Sequence, residues 1–401
     1  MNLARDFRRN HFWILAIVFS AAYCFALGVF SLVWPFDGVD FKIFYKAGVA
    51  SLNGLNPYTM REDEFAYPPA WVPFCVLFAA LPLSNALSVW KALNILFFVG
   101  AVILSIRLFT PSLTSFSRRA AIWTFALVLW ATISTLFTGN TSLLLLFLLL
   151  LSIAFINGRQ DEFAGLSLGL ALIKPPLALP LLIYFLYRRK YRALFTAFLF
   201  FSFLCAVGVH VTGVSLMQYL DAIKVYSDMN PAHATTTIGA PHLVAMVGGA
   251  MSSLARQVAF LSGALVVLGI YSMARKTPLR AISDDAVLPF LLLAGPTFFG
   301  ARGYDLVMVI PAFAWFVGSL PIHPRTSLAA ILCSVILVIP QQVMETVHRF
   351  LVAHVGSHWL PDLFLPSFRS WILLALLAFA GTIVWTQLVK RRSRSLLQVS
   401  Y

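Results

Sequence analysis

Long apolar runs dominate the chain, interrupted by short polar stretches rich in Pro, Gly and charge. The clearest runs cover 11–34, 85–106, 193–213, 254–274 and 368–389. Each approaches the roughly 20 residues that an α-helix needs to cross the hydrocarbon core. They are continuously apolar, whereas strands of a membrane barrel alternate in polarity over about 10 residues, so the pattern predicts helices. Two segments depart from it. Residues 67–82 (YPPAWVPFCVLFAALP) are short and hold four Pro, which suits a dip or a segment lying on one membrane face. Residues 163–187 carry Lys174-Pro175-Pro176 at their middle. Proline removes a backbone donor and ends helices, so a hairpin of two half-helices is predicted there. The whole pattern predicts an all-α polytopic membrane protein, a bundle of about 10–12 transmembrane helices forming one domain over 1–401.

Composition agrees with the pattern. Apolar residues make up 60% of the chain and charged ones 11%, against about 25% charged in a globular domain. The net charge of +14 raises the question of nucleic acid, but the basic residues sit at the ends of predicted helices, where orientation by Lys and Arg puts them. No nucleic-acid partner is expected. The four Cys (Cys24, Cys75, Cys205, Cys333) lie in apolar runs without metal or disulfide spacing. The basic start MNLARDFRRNHFW leads into an apolar run longer than a signal-peptide core, which predicts an uncleaved first helix.

Charge also sets the expected orientation. With the N-terminus in the cytoplasm, the clusters at Arg107/Arg118/Arg119, Arg188/Arg189/Lys190/Arg192, Arg275/Lys276/Arg280 and Lys390/Arg391/Arg392/Arg394 all fall inside, whereas most acidic residues fall elsewhere. The tail 390–401 is then cytoplasmic. Segments 35–66, 214–241, 300–305 and 341–367 share the outer face of the cell membrane, together with the turn at Gly139-Asn140.

The segment Asp37–Pro69 gathers three Asp, two Glu, two Lys, one Arg and three Tyr between Pro and Gly punctuation. A loop over about 35–84 is therefore the expected active-site wall. Asp37 and Asp40 follow the first predicted helix. A carboxylate in a partly dry site has its pKa raised and serves as a general base, while turn and N-cap roles are the plain alternatives. Lys174 is a cation inside apolar sequence, costing about 2.5–3.5 kcal/mol on insertion scales and functional by default; snorkelling is its alternative. Arg302 has a local ion pair with Asp305 as its alternative, and Lys42 and Lys46 a solvated helix face. Together such cations suit a phosphate at the membrane surface. The histidines lack an H-E-x-x-H spacing, and no metal or cofactor is expected.

These residues carry a resemblance. Asp40-x4-Tyr45-x-Ala47, Gly54-x-Asn56-Pro57-Tyr58 and Phe65-x-Tyr67-Pro68-Pro69 look like glycosyltransferase family 87. Three further stretches follow in order: Gly139-Asn140-Thr141-Ser142, Gly169 through Lys174-Pro175-Pro176, and Arg302-Gly303-Tyr304-Asp305. The chain departs from the family pattern at Asn140, where members often carry Gln. The resemblance implies a GT-C fold, a polyprenyl-phosphate sugar donor with mannose as the best-known sugar, a lipid or glycan acceptor, and Asp40 as catalytic base. Lys174 and Arg302, with Lys46 in reserve, are the expected phosphate ligands. Asp37, Tyr45, Tyr58, Tyr67, Asn140, Tyr304 and Asp305 are the expected substrate contacts. A single displacement of this kind inverts the anomeric centre. A transporter or flippase using the half-helices, and a glycan ligase taking a lipid-pyrophosphate donor, are the alternatives.

The orientation is testable directly. A topology reporter fused at Thr59 is expected to report from the outer face; a cytoplasmic signal there would overturn the assignment.

Overall fold

A computed structural model describes residues 38–59, 65–110, 115–229, 237–240, 284–299, 301–355 and 367–399, together with the single residues 243, 261, 263 and 265. The predicted first span at 11–34 lies outside the described residues, as does nearly all of 254–274. The described chain is almost entirely helical. In order it forms α1 (Val39–Leu52), α2 (Val72–Ala79), α3 (Leu83–Phe109), α4 (Phe116–Val128), α5 (Trp130–Thr138), α6 (Ser142–Asn157), α7 (Asp161–Ala171), α8 (Pro175–Tyr187), α9 (Tyr191–Thr212) and α10 (Leu216–Met229). After these come α11 (Asp284–Phe298), α12 (Val309–Ser319), α13 (Pro324–Ile336), α14 (Gln341–Val355) and α15 (Phe368–Val399). The one sheet among the described residues is a two-residue antiparallel pairing of β1 (Thr237–Ile238) with β2 (Ala301–Arg302).

Three of the predicted spans appear as single helices long and apolar enough to cross a membrane: α3, α9 and the Phe368–Thr386 part of α15. Taken together, α4 and α5 pass the same test but are bent by 50° at the break between them, as a broken span or a re-entrant loop would be. The other apolar helices are shorter, at 10–17 residues. The break predicted within 163–187 is present. Ala171 ends α7, Lys174 stands at the N-cap of α8, and Pro175 and Pro176 occupy its first turn. Proline is tolerated there because that N–H has no intrahelical partner in any case. Residues 67–82 make a 3-10 turn, Pro69–Trp71, that runs into α2. At about 1.5 Å per residue this segment is too short to cross. The hydrophilic segment expected at 341–367 differs from expectation over its first half, which folds as α14. Val343, Val347 and Phe350 recur there at helical spacing and are exposed.

Contacts divide the described chain into two compact units. One comprises the described parts of Ser31–Leu104 and Ile133–Thr236, the other those of Ser105–Thr132 and Thr237–Tyr401. In the second unit α11, α12, α13 and α15 pack on one another, and α4 packs on α12. Phe125 of α4 stacks on Phe313 of α12 at 3.9 Å.

The first unit holds most of the motif residues. There α1 packs on α2, α7 packs between α6 and α9, and α9 also covers the Pro69–Trp71 turn. The α7–α9 contact depends on small residues. Gly165 and Gly169, four apart on α7, face Ala193 and Ala197, four apart on α9, so closely that a Cβ at either glycine would meet the opposing carbonyl. In lipid, where apolar surface gives no drive for one helix to leave the solvent for another, close backbone approach at small residues is what holds helices together. The Ser152 hydroxyl donates to the Ala164 carbonyl at 2.8 Å and ties α6 to the same helix. Lys190 pairs with Asp161 at 3.1 Å across the end of α7.

Gly165→Ala is therefore expected to lower the melting temperature of the purified protein, by an overpacking penalty of about 1–3 kcal/mol. An unchanged melting temperature would show that α7 and α9 are not in this register.

Candidate functional site

The site is built from the start of α1, the α5–α6 turn and the α7–α8 break, all in the first unit. Helix α1 begins after Gly38, which is left-handed (φ 62°), and Asp40 is its second residue. The buried residues Phe41, Phe44, Ala47, Gly48, Ala50 and Ser51 form one face of α1. Counted at about 100° per residue, Asp40 lies at the middle of that face, in line with Phe44, Ala47 and Ser51. A carboxylate on an inward face needs a hydrogen-bonding partner. It also favours the first turn, where the helix dipole is positive. Asp40 makes no capping bond; its Oδ2 accepts instead from Nδ2 of Asn140 at 2.9 Å.

Asn140 is delivered by a tight turn. The end of α5 closes with Gly139 at φ +72°, a conformation that side chains rarely adopt. A Cβ there would also press on Phe41. The Gly139 carbonyl accepts from Trp90 Nε1 at 2.6 Å. Residues 140–142 are almost fully buried, with Asn140 only 1% exposed. Asn140 Oδ1 accepts from the backbone N–H of Ser142 at 3.1 Å and from its hydroxyl at 2.7 Å, which fixes the amide against the first turn of α6.

Lys174 reaches this turn from the α7–α8 break. Its Nζ donates to Asn140 Oδ1 at 2.9 Å and to Ser142 Oγ at 3.0 Å. The snorkelling alternative is thus replaced by a defined role. The amide orientation follows from its neighbours. Lysine can only donate and an ionised carboxylate can only accept, so the oxygen must face Lys174 and the nitrogen Asp40. One amide thereby lies between an anion and a cation brought from positions 134 residues apart in sequence (174 − 40).

Tyr67 joins the edge of the same turn, its hydroxyl sharing a hydrogen bond with Thr141 Oγ1 at 3.3 Å. Its ring stands edge-on to Phe44 at 4.9 Å. Tyr58 is one step further out: its hydroxyl donates to the Tyr67 carbonyl at 3.1 Å and its ring meets Tyr219 of α10 at 5.4 Å. Burial, followed by Tyr219, pushes the Tyr58 phenol well above its ordinary pKa, so it stays a neutral donor. Tyr45 is used elsewhere, donating to the Leu81 carbonyl at 2.9 Å and bracing α1 against the α2–α3 turn. Lys46 is exposed and points roughly 120° away from Asp40 around α1, so the structure does not bring it to the site. Asp37 lies outside the described residues.

Arg302, Tyr304 and Asp305 belong to the second unit. Asp305, 5% exposed, accepts from the backbone N–H of Arg302 at 3.0 Å and caps the 3-10 turn Gly303–Met308. Two residues were not singled out from sequence. Ser142 is a ligand of both Asn140 and Lys174, and its place beside Asn140 in the motif was the available signal. Trp90 was hidden in an apolar run, although a buried indole N–H calls for an acceptor.

Comparison with known proteins then identifies the family. Residues 65–296 match Glycosyltransferase family 87. An Alpha-(1->3)-arabinofuranosyltransferase of Mycobacterium tuberculosis (strain ATCC 25618 / H37Rv) is 29% identical over 164 residues, 39% of this chain and 38% of the relative. The protein of the same name from Mycolicibacterium smegmatis (strain ATCC 700084 / mc(2)155) is 28% identical over 196 residues, 47% of this chain and 45% of the relative. The chain thus matches less than half the length of each. No solved structure matches. With more than half of its length inside the family profile, the chain belongs to glycosyltransferase family 87.

Proposed function

We propose that the protein is a membrane glycosyltransferase that moves a sugar from a polyprenyl-phosphate donor to a hydroxyl of a lipid or glycan acceptor, with inversion. The observation that carries this is the joining of a carboxylate and an ammonium through Asn140. Glycosyl transfer from a lipid phosphate needs those two charges: a base for the acceptor and a cation for the departing phosphate.

The chemistry balances simply. Asp40 takes the proton of the acceptor hydroxyl, and that oxygen forms a bond to the anomeric carbon from the face opposite the phosphate. The bond from the anomeric carbon to the phosphate oxygen breaks, its electron pair leaving with polyprenyl phosphate. The leaving group is already an anion of modest basicity, so a general acid is not needed. Positive charge beside the developing phosphate is what lowers the barrier, and Lys174 supplies it. Tyr67, half-buried at the rim of the turn, offers a ring and a hydroxyl to a sugar.

The donor sugar has two candidates. Mannose is what the resemblance implies; arabinofuranose is favoured by the two relatives, both arabinofuranosyltransferases. The chemistry above serves either, since in both donors the phosphate departs from the anomeric carbon. We place the site on the outer face, with the termini in the cytoplasm, because the Lys and Arg clusters orient the helices that way.

The test is transfer by the purified full chain from polyprenyl-phosphate mannose and, separately, from polyprenyl-phosphate arabinofuranose. Activity with one of them is expected. Asp40→Asn should abolish it, by at least about 100-fold, within the usual range for a general base. Lys174→Ala should raise the donor KM more than the acceptor KM. Near-wild-type turnover by Asp40→Asn would remove the base assignment. An unchanged donor KM in Lys174→Ala would remove the phosphate assignment.

A further inference from the structure

We propose that Asn140 is a positioning residue that holds the base and the cation apart and in register, and that it does not itself contact substrate. The inference rests on Asp40 acting as the base. Asn140 was expected from sequence to touch the sugar, but it is 1% exposed and its polar atoms are committed to protein groups. Its Oδ1 takes three donors, from the Ser142 N–H, the Ser142 hydroxyl and Lys174 Nζ. Its Nδ2 donates to Asp40.

The amide does what a direct ion pair would prevent. A carboxylate bound to an ammonium is held in its charged form and is a weaker base, and an ammonium bound to a carboxylate has fewer donors left for phosphate. A neutral amide between them gives the carboxylate a donor and the ammonium an acceptor. It also fixes the separation, because the amide itself is anchored to the first turn of α6 by Ser142.

Asparagine is suited to this by its two unlike ends, and that makes the inference testable by near-isosteric exchange. Asn140→Asp keeps the shape and the acceptor facing Lys174 but turns the donor facing Asp40 into a second anion. Asn140→Gln keeps both ends of the amide on a longer stem. In the purified full chain, Asn140→Asp is expected to lose about 100-fold in kcat, the scale of misplacing a reacting group by roughly 1 Å. KM for the acceptor should stay within about threefold of wild type, because the loss is in the alignment of the reacting groups. Asn140→Gln is expected to recover most of that loss, to within about tenfold of wild type, because the donor and acceptor ends return. Melting temperatures of each variant show that it is folded, and Asn140→Ala, with the same expected fall in kcat, serves if Asn140→Asp does not fold.

Three results would overturn the inference: wild-type kcat in Asn140→Asp, a loss carried by KM with kcat intact, or a glutamine variant as inactive as the aspartate one. Asp40→Asn measured beside them separates the two levels. An active Asp40→Asn removes the base reading and this inference with it. An inactive Asp40→Asn beside an active Asn140→Asp removes this inference alone.

Discussion

The arrangement of the first unit depends on one amide. Asp40 comes from the start of α1, Lys174 from the break between α7 and α8, and both hydrogen-bond the side chain of Asn140 on the α5–α6 turn. Each side chain alone would be an unfavourable choice: a carboxylate on the inward face of a helix, and a lysine at the middle of an apolar stretch. Placed on either side of an amide whose oxygen and nitrogen match their opposite needs, both are satisfied.

The surrounding fold makes this meeting possible. The Gly139 turn has the left-handed backbone that lets Asn140 leave α5 and point at α1, and Trp90 holds its carbonyl. Lys174 is carried by the α7–α8 break, and α7 is seated on α9 through Gly165 and Gly169. The paired prolines after Lys174 stop the chain from continuing as one helix. A continuous helix through this point would keep Lys174 on a helix side rather than at a helix start, where its side chain reaches the first turn of α6.

Much of this was legible in the sequence, for identifiable reasons. Proline position predicted the α7–α8 break, because its effect on the backbone is local. Continuous apolar runs predicted α3, α9 and the apolar part of α15, because membrane spans are set by length and composition. Lys174 stood out by the cost of charge in apolar surroundings, whereas Asp40 was singled out over Asp37 by the family pattern. Their connection was not legible, because a contact between residues so far apart is fixed by tertiary packing that no local pattern encodes. For the same reason Asn140 was expected among the substrate contacts, and its burial with Asp40 and Lys174 as hydrogen-bond partners needed the fold. Lys46 was grouped with Lys174 by charge alone, although helical spacing from Asp40 already turned it to the other side of α1. The role of Tyr45 as a brace to Leu81, and of Asp305 as a cap, likewise needed the fold.

The central claim is that Asp40, Asn140 and Lys174 form the reacting centre for a sugar carried on a polyprenyl phosphate. A structure of the full chain bound to a non-transferable polyprenyl-phosphate sugar tests it most directly. The account predicts the phosphate within hydrogen-bond distance of Lys174 Nζ, the Asp40 carboxylate facing the side of the anomeric carbon opposite that phosphate, and the Asn140 amide still between the two. A donor phosphate bound away from Lys174, with Asp40 remote from the anomeric carbon, would contradict it.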